Sequence, residues 1–260
     1  VKKYDNNRSD QEMNYVEIGY MVVEKDKTLS FYETSECSFS SILQKMAVQQ
    51  QISGWVQNDH YHSISDPERW KKTQTYLTPK KILLIDRDGV INQKAPQGEY
   101  TTGWEEFEWI PDTRNAMKLL SENGFRFIVV SNQAGIARGM LNLDDLERIH
   151  NKMKDELKRD GIEIIDIYVC PHHWDEKCYC RKPNPGMLFQ ASQDHLLRLD
   201  KTLFIGDDPR DCQTAEKAGC NSIFVGKVAE LKKLSKNEYP ICHSRLLTDC
   251  VTNIKGYFNQ

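Results

Sequence analysis

From residue 81 onward, short apolar runs alternate with longer stretches of helical period. "ILLID" at 82–86 is a continuous hydrophobic run that ends on an acid, as a strand buried on both faces would. "FRFIVVSNQ", "IIDIYVC", "KTLFIGDD" and "NSIFVG" repeat that form. Between them, "PDTRNAMKLLSENG" predicts a helix with Pro111 near its start and Gly124 as its stop. "NLDDLERIHNKMKDELKRDG" puts Leu143, Leu146, Ile149, Met153 and Leu157 on one face and stops at Gly161. "NPGMLFQASQDHLLRL" predicts a helix capped by Asn184 with Pro185 in first position, and "PRDCQTAEKAG" predicts another. Strands alternating with helices predict an α/β fold, a mostly parallel sheet with helices on both faces. Ligands bind such sheets beyond the carboxyl ends of the strands. The polar clusters at 86–88, 131–133, around Cys170 and at 207–208 all fall there. The stretch 229–260 is expected to pack as a helix on the sheet edge.

Residues 1–80 lack this rhythm and predict a small α+β segment. "YVEIGYMVVEK" reads as a strand, "SSILQKMAVQQQ" as a helix and "ISGWVQNDHYHSI" as one or two strands. "DPERWKKTQTYL" reads as a short helix with Asp66 as cap and Pro67 in its first turn. The expected division is 1–80 and 81–260, with the boundary near 78–81.

Composition narrows the function. A net charge of −3 over 260 residues argues against a general nucleic-acid binder. No apolar run is long enough to span a membrane, and no signal peptide is read, so a cytoplasmic monomer is expected. The chain opens on Val1, consistent with a piece of something longer. Of eight cysteines, Cys170, Cys178 and Cys180 crowd into one loop, which suits a metal in a reducing compartment better than a disulfide framework.

The strand-end sequence "DRDGVIN" carries the first chemistry. Carboxylates at i and i+2 on an extended segment project to one side. One can attack phosphorus while the other moves protons for the leaving group and for water. Such attack needs a divalent cation and a basic side chain against the phosphate charge. Taken alone, "DRD" reads equally well as a solvated acidic turn. The rest of the chain adds a Ser-Asn pair ending the second strand, a lysine before a helix ("CRKPNPGML") and another acidic strand end ("FIGDDPRD").

Together "DRDGVIN", "SNQAGIARG", "CPHH…CYCRKPNPGML" and "GDDPRD" resemble the haloacid-dehalogenase (HAD) phosphatases, and within them the heptose-bisphosphate and histidinol-phosphate phosphatase branch. The resemblance covers about 81–228 and implies a Rossmann-like HAD fold. It makes Asp86 the nucleophile, Asp88 the general acid/base, Ser131 the hydroxyl that holds the phosphoryl group, and Lys182 the neutralising cation. Mg²⁺ would sit on Asp86, the carbonyl of Asp88, and Asp207. Arg87, Asn132, Gln133, Arg138, Arg181 and Asp208 are expected on the substrate side. Relatives usually carry Lys or Arg where this chain has Asp208, so a cation for a second phosphate is missing there, with Arg210 or Arg138 as replacement. The implied substrate is a small sugar phosphate, foremost the 7-phosphate of a heptose bisphosphate. Histidinol phosphate or another monoester is the rival within enzymes, and a non-catalytic zinc-stabilised module the rival outside them.

"CPHHWDEKCYC" offers Cys170, His172, His173, Cys178 and Cys180. Three thiolates and one imidazole make a closed structural Zn²⁺ site; the other reading is packed or oxidised cysteines. The resemblance implies Cys170, His172, Cys178 and Cys180 as ligands, with the loop fixing where Arg181 and Lys182 point. His150 reads as a surface or core histidine, Trp104 and Trp109 as core or entrance, and Cys212 and Cys220 as packed thiols. Residues 15–77 resemble the C-terminal end of sugar-1-phosphate nucleotidyltransferases. The Gly-rich nucleotide loop is absent and Ser63 stands where the metal-binding aspartate would be, so this segment is expected to be what remains of a longer bifunctional chain, or a cap or docking element.

Overall fold

The computed structural model describes residues 1, 3–4, 21–32, 37–56, 62–78, 80–96 and 98–259. Two compact units are present, Val1–Tyr61 and His62–Gln260. In the first, α1 (Lys25–Leu29) precedes α2 (Phe39–Val48), whose Ser38 cap accepts from the Ser41 N–H and whose Ile42, Leu43, Met46 and Ala47 are buried. The strand expected over "YVEIGYMVVEK" lies mostly outside the described residues. Residues 52–56, expected as strand, carry no regular element.

The second unit opens with α3 (Pro67–Leu77), capped by Asp66 and started by Pro67. The division at Tyr61/His62 therefore places this helix with the sheet, upstream of the 78–81 boundary read from sequence.

The sheet contains β1 (Ile82–Ile85), β2 (Arg126–Asn132), β3 (Ile164–Cys170), β4 (Leu203–Gly206), β5 (Asn221–Val225) and β6 (Cys242–Ser244) in the order β3-β2-β1-β4-β5-β6. Every neighbouring pair is parallel. The helices are α4 (Pro111–Ser121), α5 (Leu143–Arg159), α6 (Gly186–His195), α7 (Pro209–Lys217) and α8 (Leu247–Phe258). All four residues of β1 are buried because the strand is central and covered on both sides. Leu83 and Ile85 face a core built with α4, α5 and α8, while Ile82 and Leu84 face a second core with α6 and α7. Burying each such side chain contributes roughly 1.5–3 kcal/mol.

Three local readings need correction. Leu143 is exposed; the buried stripe of α5 is Leu146, Ile149, His150, Met153 and Leu157. The cap position of α6 is Pro185, because Asn184 turns back to donate to the Cys178 carbonyl. The tail forms the edge strand β6 before α8, and α8 packs on the face beside α4. No side chain of its own caps α8; Asp112 of α4 accepts from the Leu247 N–H at 2.6 Å and the Thr248 N–H at 3.2 Å.

Candidate active site

Ladder pairing fixes β1 between β2 and β4 up to Ile85, and the Asp86 N–H donates to the Ile205 carbonyl at 2.8 Å. Asp86 therefore leaves the sheet from its centre. Its carboxylate is almost wholly buried, and Oδ1 lies 2.9 Å from the Lys182 ammonium. Lys182, also buried, donates to the Val130 carbonyl and sits 2.7 Å from Asp211 Oδ1. Asp207, at the end of β4, joins them: one oxygen each of Asp86, Asp207 and Asp211 lie within 4.8 Å of one another. Gly89 lets the β1 loop close over this group, since a Cβ there would fall 2.2 Å from Asp207 Oδ2 and its φ is +96°.

Asp88 lies beside this cluster and is held from several directions. Arg87 Nη2 donates to both its oxygens at 2.9 Å, Asn92 Nδ2 to Oδ1 at 3.0 Å, and Gln133 Nε2 to Oδ2 at 2.7 Å. Ser131 Oγ is 3.4 Å from the same Oδ2. Burial opposes ionisation of Asp88, but the Arg87 guanidinium and these donors outweigh it and hold its pKa below the usual aspartate value. Asp86 is the contrast: burial pushes its carboxyl up to about 7, with Lys182 pulling down and Asp211 and Asp207 pushing further up. Asp207 is likewise raised, by burial and then, against Lys94, by Asp211. Burial works against the Lys182 ammonium, but Asp211 and Asp86 keep it firmly charged. Asp207 Oδ1 is buried without a hydrogen-bond partner. Buried carboxylates that repel one another and leave an oxygen unpaired are a set that a cation would complete.

The expected substrate-side residues separate into two groups. Arg87 and Gln133 are buried and turned onto Asp88. Asn132 pairs with the backbone of Lys182, Nδ2 to its carbonyl at 3.2 Å and Oδ1 from its N–H at 3.1 Å, so it fixes the lysine. Asp208 caps α7 and grips Arg210 through both oxygens at 2.9 and 2.7 Å. The next cation along the chain is Arg210 itself, two residues on. Arg210 lines a cleft of about 420 Å³ together with Trp174, Lys177, Arg181, Lys182 and Asn184. Arg138 instead lies over the rings of Tyr100 and Trp174, at 5.5 and 5.8 Å from their centroids.

Sequence reading missed Asp211, Asn92 and Lys94. Asp211 sits three residues after the Asp208 cap and receives the Asp208 N–H, so the capping-box spacing in "DPRD" was the available signal. Lys94 Nζ reaches Asp207 Oδ2 at 3.1 Å, a contact from the distant β1 loop with no local signature. Trp104 and Trp109 pack around Phe107 beside the α4–α5 core, Trp109 donating to Glu156.

Beyond β3, the sulfurs of Cys170, Cys178 and Cys180 and Nδ1 of His172 gather within 4.8 Å. Cys178 Sγ is 3.5 Å from both other sulfurs, and His172 Nδ1 is 3.2 Å from Cys180 Sγ and 3.6 Å from Cys170 Sγ. These separations are far too long for a disulfide. A tetrahedron of zinc–sulfur bonds has edges of about 3.8 Å, close to those seen. His173 turns aside and stacks on Trp174. The loop hands Arg181 and Lys182 to the site, with Arg181 donating to the His172 carbonyl at 3.3 Å.

Residues 179–244 match the family model described as HAD-hydrolase-like. The D-glycero-alpha-D-manno-heptose-1,7-bisphosphate 7-phosphatase of Photorhabdus laumondii is 34% identical over 154 residues, 56% of this chain and 82% of the relative. The D-glycero-beta-D-manno-heptose-1,7-bisphosphate 7-phosphatase of Pseudomonas aeruginosa is 34% identical over 170 residues, 65% of this chain and 93% of the relative. The D,D-heptose 1,7-bisphosphate phosphatase of B. bronchiseptica, solved with magnesium and phosphate, superposes with a TM-score of 0.62 at 29% identity, covering 68% of this chain and 98% of that one. Identity of 34% over 82% and 93% of the length of two such relatives, on a parallel sheet that superposes on a third, shows that this chain belongs to the HAD phosphatases, phosphoric monoester hydrolases, in the family of the heptose-1,7-bisphosphate 7-phosphatases.

Proposed function

We propose that this enzyme removes the 7-phosphate of a D-glycero-D-manno-heptose 1,7-bisphosphate, with Asp86 as nucleophile and Asp88 as acid and base. The observation that carries this reading is the buried Asp86 carboxylate 2.9 Å from Lys182 at the end of the central strand, with Asp88 two residues on. Asp86 attacks phosphorus, and the bond to the sugar oxygen breaks as Asp88 protonates that oxygen. Water then gives a proton to Asp88 and attacks the aspartyl phosphate, releasing phosphate and restoring Asp86. Lys182 favours the ionised form of Asp86 against burial and offsets the charge on the transferring oxygens. The arriving phosphate dianion, a like charge, raises the pKa of Asp88 and makes its acid form accessible.

Asp86, Asp207 and Asp211, with the Asp88 carbonyl, would hold Mg²⁺, a hard cation suited to this all-oxygen set. Its chemistry there is charge neutralisation of the phosphate. Cys170, His172, Cys178 and Cys180 would hold Zn²⁺ as a closed structural site that stiffens the cleft wall carrying Trp174, Lys177 and Arg181. Arg181 and Arg210 supply guanidinium groups for the distal phosphate. Relatives named for either anomer match at 34% identity, so the proposal covers both. Residues 1–80 are proposed as an appended nucleotidyltransferase-like segment outside the chemistry, with the structural cut at His62.

Phosphate release in Mg²⁺ from heptose 1,7-bisphosphate, histidinol phosphate and fructose bisphosphate tests this. The heptose ester is expected to have the highest kcat/KM. Equal values for all three would overturn the substrate, and no release from any would overturn the activity.

A further inference from the structure

Behind the reacting carboxylates, α5 presents a buried imidazole that the proposed chemistry leaves unused. His150 is 7% exposed, and its Nε2 lies 3.0 Å from Arg87 Nη1. Arg87 is 1% exposed. Its remaining nitrogens go to Asp88: Nε to Oδ1 at 3.2 Å, and Nη2 to Oδ1 and Oδ2 at 2.9 Å each. A guanidinium has donors only, so Nε2 of His150 is the acceptor and the imidazole proton sits on Nδ1. Burial, reinforced by Arg87 and opposed by Asp88, keeps this ring neutral, as an acceptor must be.

The geometry has a directional consequence. A guanidinium is planar and rigid. Its Nη1 end is tied to α5, and its other edge holds both oxygens of Asp88. Fixing one end of the fork fixes the other. We infer that His150 is a positioning residue: by holding Arg87 from behind, it sets the direction in which Asp88 delivers and takes its proton. This rests on the reading of Asp88 as the general acid and base. Sequence alone made His150 a surface or core histidine; the structure gives that core histidine a specific task.

Leaving groups distinguish this role from mere support of the fold. A sugar alkoxide leaves poorly and needs the proton of Asp88 as the oxygen–phosphorus bond breaks. A p-nitrophenolate leaves as a stable anion and needs it little. Hydrolysis of the aspartyl phosphate is common to both esters, so the difference is read in kcat/KM, which runs only to departure of the leaving group: a misaimed Asp88 lowers it more for the sugar ester than for the aryl ester, whereas a loosened fold lowers both alike.

The test uses the full chain in Mg²⁺, with kcat and KM for heptose 1,7-bisphosphate and p-nitrophenyl phosphate and a melting curve for each variant. His150→Leu removes the acceptor. It is expected to lower kcat/KM for the sugar ester about 10²-fold, the lower end of what proton transfer contributes, with a much smaller loss of kcat/KM for the aryl ester. His150→Gln, whose amide oxygen can accept from Arg87, is expected to recover most of the loss. Should His150→Leu fail to fold, His150→Asn, polar but one methylene shorter than Gln, carries the same comparison. Equal losses of kcat/KM on both esters, no loss, or no recovery with Gln would overturn the inference. The parent reading fails separately, if Asp88→Asn keeps wild-type turnover.

Discussion

The carboxylate cluster holds the Lys182 ammonium and the cysteine loop leads along the chain into the same residue, but the two are built in different ways. Asp86 and Asp207 leave strands whose ladders run to Ile85 and Gly206, and Asp211 sits in the first turn of α7. Their positions are set by the sheet and its two cores before any ligand arrives. In the loop, only Cys170 ends a strand and is wholly buried. His172, Cys178 and Cys180 sit on chain held by a three-residue turn and by Lys177 in a left-handed conformation, φ 47°. Under the proposed function a metal would fix the cysteines placed this way, while a metal at the strand-end acids would relieve their repulsion. On the proposed function, the scaffold carries the chemistry and the loop the substrate fit.

The largest effect should come from the scaffold side. Asp86→Asn is nearly isosteric but a poor nucleophile, so turnover should vanish on every phosphate ester while the melting transition and zinc content persist. Asp88→Asn should follow, with a loss of about 10²–10⁴-fold. If Asp86→Asn removed zinc as well, the two regions would not be separable.

Next in size is the loop. Cys178→Ser should strip the metal from freshly purified, reduced protein, which is otherwise expected to carry about one zinc per chain, as a closed thiolate-rich site does. Turnover of a small aryl phosphate should fall less than kcat/KM for the bisphosphate. A uniform loss, with zinc retained on elemental analysis, would contradict the division of labour.

Much of the scaffold was legible because its signals are local. Continuous apolar runs mark β1, β2 and β4, and an apolar stripe that stops at Gly161 marks α5. The edge strand β6 was missed because three residues, none of them buried, carry no period. Ligand-type residues were legible as types, but their directions were not. Arg87, Asn132 and Gln133 could each have faced a substrate, and only tertiary contacts turn them onto Asp88 and Lys182. The pairing of Asp207 with Lys94, 113 positions apart, has no local trace at all.

Smaller changes sharpen the comparison further. Arg181→Ala or Arg210→Ala should each lower kcat/KM for the bisphosphate by roughly tenfold, the value of one charged hydrogen bond, with little effect on the aryl ester. Equal effects on both esters would remove these cations from distal-phosphate binding. Smallest is Asp112→Ala, remote from both regions. Losing the cap it lends to α8 should cost about 1–2 kcal/mol of stability in denaturant melts. Zinc content and kcat should stay unchanged.

The central claim is that Asp86 carries the phosphoryl group. Borohydride added during steady turnover of the bisphosphate reduces an acyl phosphate to an alcohol, and peptide mass spectrometry then locates it. The account predicts conversion of Asp86 to homoserine in the peptide spanning 82–94, dependent on substrate and absent from Asp88. Full turnover with no conversion at Asp86, or conversion at Asp88 instead, would contradict it.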